Sequence, residues 1–164
     1  GPQEGGEEEQ ERRRQQIAEA IQQRIDSVER LRRLSRQVRV SRTPEGIRID
    51  LVDDADFSMF QLGTTVLTPD ATSLLEVIAG MLTGELGGIS IRGHTDALPW
   101  TGGPGANNWS LSAGRAESTR QALISRGIGE NRFRKIEGVA DREPLIQDKP
   151  QDPRNRRISI LLMR

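Results

Sequence analysis

Cysteine is absent from the 164 residues, which excludes disulfides and thiolate chemistry but leaves the compartment open. There is one histidine, His94, so zinc clusters and Ser-His or Cys-His nucleophile systems lack their parts. Aromatic residues make up only 3% of the chain, so aliphatic side chains must fill its core. An excess of one charge is missing too. Lys+Arg and Asp+Glu are both 24, and this formal balance gives no global field to draw in nucleic acid or an anionic membrane. No apolar run approaches the roughly 18–20 residues needed to cross a bilayer. An initiator Met is also lacking, and Gly1-Pro2 reads as the scar of a tag-removing protease. A signal peptide or membrane anchor is therefore expected to have been cut away.

What is present divides into a helix and a domain. Residues 7–38 read as one long amphipathic helix, with Ile17, Ile21, Ile25, Val28, Leu31, Leu34 and Val38 recurring about every 3.5 residues. It begins acidic and turns basic, the order a helix dipole favours. Arg12-Arg13-Arg14 follow closely on a run of Glu and read as a solvated face rather than a nucleic-acid patch. So narrow a stripe needs a partner helix or the body of the domain. Residues 3–38 are assigned as a linker or dimerisation helix, and 39–164 as one domain.

Within that domain, segments 37–41 and 46–53 alternate polar and apolar about a TPEG turn, the signal of a hairpin. Asp53-Asp54-Ala55-Asp56 lacks the spaced oxygens and closing Glu of a calcium loop, and reads as a solvated turn. Thr68-Pro69-Asp70 opens a helix whose stripe is Leu74, Leu75, Ile78, Met81 and Leu82. A strand at 89–93, a helix at 110–126, a strand at 134–139 and a final apolar strand at 157–163 complete the pattern. Helices alternating with strands imply an α/β sandwich with one face of its sheet covered.

Catalytic signatures are missing. GISIRG lacks the spacing of a nucleophile elbow, and GGPGANNWS lacks the Lys-Ser/Thr of a phosphate loop. Asp96 and Glu117 would make a glycosidase pair only if something brought them together, and no motif does so. No enzyme is expected. One stretch stands out, GHTDALPWTGGPGANNWSLSAGRA at 93–116, with Asp96 at one mouth of a loop and Arg115 at the other. Arg115 is expected in the first turn or so of a helix capped by Ser110 or Ser112. There the helix N–H groups and the guanidinium would together favour an anion. A carboxylate beside this site suits a ligand with both an ammonium and a carboxylate. An ordinary Asp96–Arg115 salt bridge steadying the loop is an equal reading of the same spacing. Asn108 could be a turn residue satisfying its own backbone. Trp100 and Trp109 are expected to pack under the loop, and His94 to hydrogen-bond locally.

The motifs GHTD (93–96), NNWSLSAGRA (107–116) and NRRISI (155–160) resemble those of the OmpA-like peptidoglycan-binding domain, over about residues 44–164. The long loop after Thr95-Asp96, the NRRISILLM strand and the phrase from Asp53 to Phe60 are most similar to flagellar motor stator subunits of the MotB type. This resemblance implies an α/β two-layer sandwich, with a mixed sheet, helices on one face and a long N-terminal helix in front. It also implies a non-catalytic wall anchor without cofactor or metal. Asp96 would hold the ammonium group of diaminopimelate in the peptidoglycan stem peptide, and Arg115 its carboxylate. Asn108, Thr95 and Leu111 would line the pocket, with Phe60 and Gln61 at its edge. Gln61 replaces an acid frequent in relatives, and Asn107 an aromatic. The implied partners are peptidoglycan, a second copy of the chain, and a MotA-like membrane protein reached through the missing N-terminal region, with no nucleic acid. The implied setting is the periplasmic domain of a single-pass inner-membrane protein in a Gram-negative bacterium. A type VI secretion or outer-membrane anchor is the nearest alternative, and a peptidoglycan-processing enzyme is one from another class.

Overall fold

The computed structural model describes residues 2–99 and 107–163, so Gly1 and Trp100 lie outside the described residues. Among the described residues the α-helices are α1 (Pro2–Ser27), α2 (Glu29–Arg32), α3 (Pro69–Leu82) and α4 (Asn108–Ser125). The strands among these residues are β1 (Val38–Thr43), β2 (Gly46–Val52), β3 (Ile89–His94), β4 (Phe133–Gly138) and β5 (Arg157–Met163). They form one sheet in the order β1-β2-β5-β3-β4. The alternating segments around the TPEG turn pair as an antiparallel hairpin. β5 lies antiparallel between β2 and β3, while β3 runs parallel to β4, with α4 in the connection between them. The sheet is therefore mixed, and its most apolar strand is central.

Period-2 alternation divides the sheet faces. Ile47, Ile49 and Leu51 of β2, Ile89 and Ile91 of β3, and Ile158 and Ile160 of β5 are buried in one cluster with residues of the helices. Leu74, Leu75, Ile78 and Leu82 of α3 and Ile21 and Ile25 of α1 meet them there. Arg48, Asp50, Arg92, His94, Glu137 and Ser159 alternate with these apolar positions and belong to the other, polar face. The architecture is the α/β two-layer sandwich expected from the element order.

The N-terminal helix is shorter than its apolar spacing suggests. α1 ends at Ser27, Val28 adopts an extended conformation (φ −88°, ψ 108°), and Val38 already belongs to β1. Leu31 and Leu34 remain buried because α2 and a following 3-10 turn keep a near-helical spacing without a continuous helix. The stripe Ile17, Ile21 and Ile25 packs into the core of this same chain, so the body of the domain covers that part of the helix.

Capping and close packing set the other helices. Thr68 accepts a hydrogen bond from Ala71 N at 3.2 Å, with Pro69 in the first helical position. α4 lies very close to the sheet because two glycines sit side by side beneath it. Gly93 and Gly138 are register partners in β3 and β4. A Cβ on Gly93 would overlap the Ser112 carbonyl, and one on Gly138 the Ala113 amide. Gly93→Ala is therefore expected to push α4 outward and cost about 1–3 kcal/mol of stability in denaturant unfolding. A loss under about half a kcal/mol would show that the helix has room to move.

On the polar face His94 is buried at 4% exposure, with Nε2 3.4 Å from Ser159 Oγ, whose hydroxyl donates to Asp50. Burial, reinforced by the Arg157, Arg92 and Arg48 charges, pushes the His94 pKa down to about 3. The unfolded chain then takes up a proton that the folded chain refuses. This lowers stability as pH falls from about 6.5 toward about 3. His94→Gln removes that proton, so its stability should fall less steeply between about pH 6 and 4, by up to about 1.4 kcal/mol per pH unit. Equal slopes in wild type and variant, measured by urea unfolding, would contradict the burial argument.

Candidate functional site

β3 ends at His94, and the backbone fixes the turn that follows before any side chain acts. Thr95 N donates to Ala140 O and Ala97 N to Pro150 O, both at 2.9 Å. The loop that receives them is tied down by the fully buried Asn155. Its amide donates to the Lys149 and Pro150 carbonyls and accepts from Ile146 N at 2.7 Å.

Asp96 is buried at this turn. Leu98 N donates to its Oδ1 at 3.0 Å, and Arg156 Nη1 to its Oδ2 at 2.7 Å. The same guanidinium donates through Nε to Asp53 Oδ2 at 3.0 Å, and the other Asp53 oxygen accepts from Met59 N at 3.0 Å. Arg115 enters from α4. Its Nε donates to the Thr64 carbonyl at 2.9 Å, and its guanidinium lies 4.9 Å from the centroid of the Phe60 ring. Among the described residues Arg115 forms no ion pair within 4 Å. Asp96 and Arg115 do not satisfy one another.

Both groups line a cavity of about 280 Å³. Phe60, Thr95, Asn108 and Leu111 line it as well, so six of the seven residues singled out from the sequence converge there. Asn108 Nδ2 donates to the Leu98 carbonyl at 3.0 Å and so holds the mouth, rather than satisfying its own backbone. Gln61 is the exception. It is exposed and absent from the lining, whereas Leu62, 98% exposed, and Gly63 take the rim. Phe60 and Leu67 form an isolated bridge that closes the intervening loop and presents Thr64 O to Arg115.

Three sequence expectations change here. The cap of α4 is Asn107, which forms a reciprocal capping box with Ser110, so neither Ser110 nor Ser112 is the cap. Arg115 then lies about two turns into the helix, beyond the reach of its free N–H groups, and carries its positive charge alone. Asp53 belongs to no solvated turn, since it is 4% exposed and ion-paired. No local pattern around Asp53 or Arg156 signals their pairing, although Arg156 belongs to the NRRISI motif.

Burial shapes the electrostatics. It pushes the Asp53 carboxyl upward, against the Met59 N–H and Arg156, which favour the charged form. It lowers the Arg115 pKa, opposed by the nearby Asp53 and Asp96 charges. For Arg156 the hydrogen bonds to Asp96 and Asp53 outweigh desolvation and hold its pKa above the usual value. Two acids and two guanidinia thus face one cavity and sum to zero.

The remaining chemistry is sparse. Among the described residues no group of three or more His, Asp or Glu gathers to hold a metal. Glu117 pairs with Arg120 at 2.6 Å and stays off the lining, so it forms no carboxylate pair with Asp96. Ser159 stands between Asp50 and His94, whereas a nucleophilic triad needs the imidazole in the middle. Trp109 is half exposed, with the Arg142 guanidinium 5.6 Å from its ring centroid, and residues 100–106 of the loop lie outside the described residues. A larger cleft of about 750 Å³ lies between α1 and the 84–87 loop. Its arginines Arg13 and Arg14 are paired with Glu85 and Glu11, so it presents no comparable free cation.

The OmpA family profile matches residues 59–157. Motility protein B of Escherichia coli K12 is 35% identical over 144 residues, which cover 87% of this chain and 47% of that protein. The chain thus spans about half the length of that curated relative. The crystal structure of the periplasmic domain of Helicobacter pylori MotB superposes with a TM-score of 0.66 at 19% identity, covering 77% of this chain and 78% of that one. The cell wall anchor of the type VI secretion system from Pseudomonas aeruginosa gives a TM-score of 0.66 at 25% identity, covering 79% and 90%. With a family profile over more than half of its length, the chain belongs to the OmpA family.

Proposed function

We propose that the chain is a non-catalytic peptidoglycan anchor, the periplasmic part of a flagellar motor stator subunit of the MotB type. The reading rests on one observation: Asp96 and Arg115 face the same cavity, and each is held by a group other than its opposite. A socket that keeps an acid and a cation apart, with no net charge, suits a zwitterionic head group. The diaminopimelate residue of a stem peptide carries one, with its ammonium toward Asp96 and its carboxylate toward Arg115. Thr95, Asn108, Leu111 and Phe60 shape the walls, Leu62 and Gly63 form the rim, and Gln61 lies off the lining.

In the same proposal, residues 3–38 lead from a membrane segment to the wall-binding domain of a homodimer, and a MotA-like partner is reached through that segment. No helix among the described residues is long and apolar enough to cross a membrane. The E. coli motility protein, 35% identical over 87% of this chain, supports a stator reading, while the type VI secretion anchor superposes as well as the MotB domain does and so shares the fold.

Sedimentation with isolated sacculi tests the socket. Wild type is expected to co-sediment and to be displaced by a diaminopimelate-containing stem peptide. Asp96→Asn and Arg115→Ala should each weaken retention about tenfold or more while circular dichroism stays native. Undiminished retention of both variants would remove the socket from wall binding. Release of soluble muropeptides by the wild type would point instead to a processing enzyme.

A further inference from the structure

The four charges of the socket are linked through two residues that need not touch a ligand. Arg156 spends Nε on Asp53 and Nη1 on Asp96, so its guanidinium spans two carboxylates instead of closing bidentately on one. Asp53 in turn accepts from Met59 N, and the next residue, Phe60, supports the Arg115 guanidinium with its ring. The Asp53 amide also donates to the Arg156 carbonyl at 3.0 Å, which locks the end of β2 to the start of β5. The Asp53 and Asp96 side chains are only 6% and 7% exposed, so each carboxylate depends chiefly on its protein partners.

We infer that Asp53 and Arg156 are positioning residues that set the two ends of the ligand socket, Arg156 acting on Asp96 and Asp53 on both Asp96 and Arg115. This rests on reading the cavity as the stem-peptide site. The physical argument concerns what each residue prevents. Without Arg156, two buried carboxylates would share one cavity and repel each other, and Asp96 would lose the contact that fixes its oxygens. Without Asp53, Arg156 is free to close both nitrogens on Asp96 and occupy the oxygen an incoming ammonium needs. The segment carrying Phe60 would also lose its anchor, and with it the seat of Arg115.

Three probes separate these roles: a stem peptide ending in diaminopimelate, the same peptide with that side-chain amine acetylated, and the same peptide with that side-chain carboxylate amidated. Calorimetry on wild type should show each modification weakening binding by about tenfold or more. In Arg156→Gln the acetylation penalty should shrink to about twofold while the amidation penalty persists. Arg156→Lys should fall between, since an ammonium cannot span both acids. Asp53→Asn keeps an acceptor for Met59 N but releases Arg156, so it should reproduce the Arg156→Gln pattern. Asp53→Ala should reduce both penalties.

A purely structural role would weaken all three peptides equally, or none, in variants that remain folded, and either result overturns the assignment. If Arg156→Gln or Asp53→Ala fails to fold, the conservative Arg156→Lys and Asp53→Asn variants carry the same comparison. A wild type that binds the three peptides alike would instead sink the stem-peptide reading itself.

Discussion

The Arg156 guanidinium, shared between Asp53 and Asp96, is the interaction on which the rest of the site depends. Its three members come from the end of β2, the turn after β3 and the residue before β5. These strands are neighbours in the sheet, so the order β2-β5-β3 delivers all three groups to one end. Buried ion pairs are costly to desolvate and contribute little net stability. Removing one member of such a pair is severe, about 3–5 kcal/mol, because a charge is left behind. Here backbone N–H groups from Met59 and Leu98 share the load by occupying the other carboxylate oxygens. The cluster is thus well satisfied internally, yet it still borders a cavity.

Arg115 is held by different means. Its helix reaches the sheet over the Gly93–Gly138 pair, where any side chain would force the two layers apart. That close approach carries the third turn of α4 down to the level of the cavity. The Thr64 carbonyl and the Phe60 ring then orient the guanidinium without neutralising it. A carbonyl and an aromatic face are weak partners beside a carboxylate. The cation therefore keeps most of its capacity for an incoming anion. Asp96 and Arg115 stand on or beside regular elements, and such a base holds its geometry better than a free loop.

The two faces of the sheet serve different ends. One buries aliphatic side chains against α1, α3 and α4, and with so few aromatics it relies on Ile and Leu from every layer. The other carries arginines and acids in cross-strand pairs, such as Arg92 with Glu137 at 2.6 Å. His94 lies among these arginines and is kept neutral by burial and their charge. It contributes to the pH response of the fold and takes no part in the socket lining.

Local chemistry was enough to read the element order, the hairpin, the Thr68 cap, the apolar central strand and the motif residues Asp96 and Arg115. Each of these is a matter of periodicity or of neighbours a few positions apart, which a linear chain displays directly. The end of α1 was less visible, because a short helix and a 3-10 turn preserve the spacing of apolar residues after the helix has stopped. The cap of α4 was ambiguous because Asn107, Ser110 and Ser112 are all competent N-caps, and only the fold selects among them. Gln61 falls off the lining because the 61–66 loop turns its side chain to solvent. The partners of Asp96 and Asp53 could not be read from the chain at all. Arg156 lies 60 and 103 positions away from them, and only the packing of β5 between β2 and β3 brings it within hydrogen-bond reach. Residue identity therefore supplied the opposite charges, and strand order decided which of them stay free, because a pair forms only where the sheet places it.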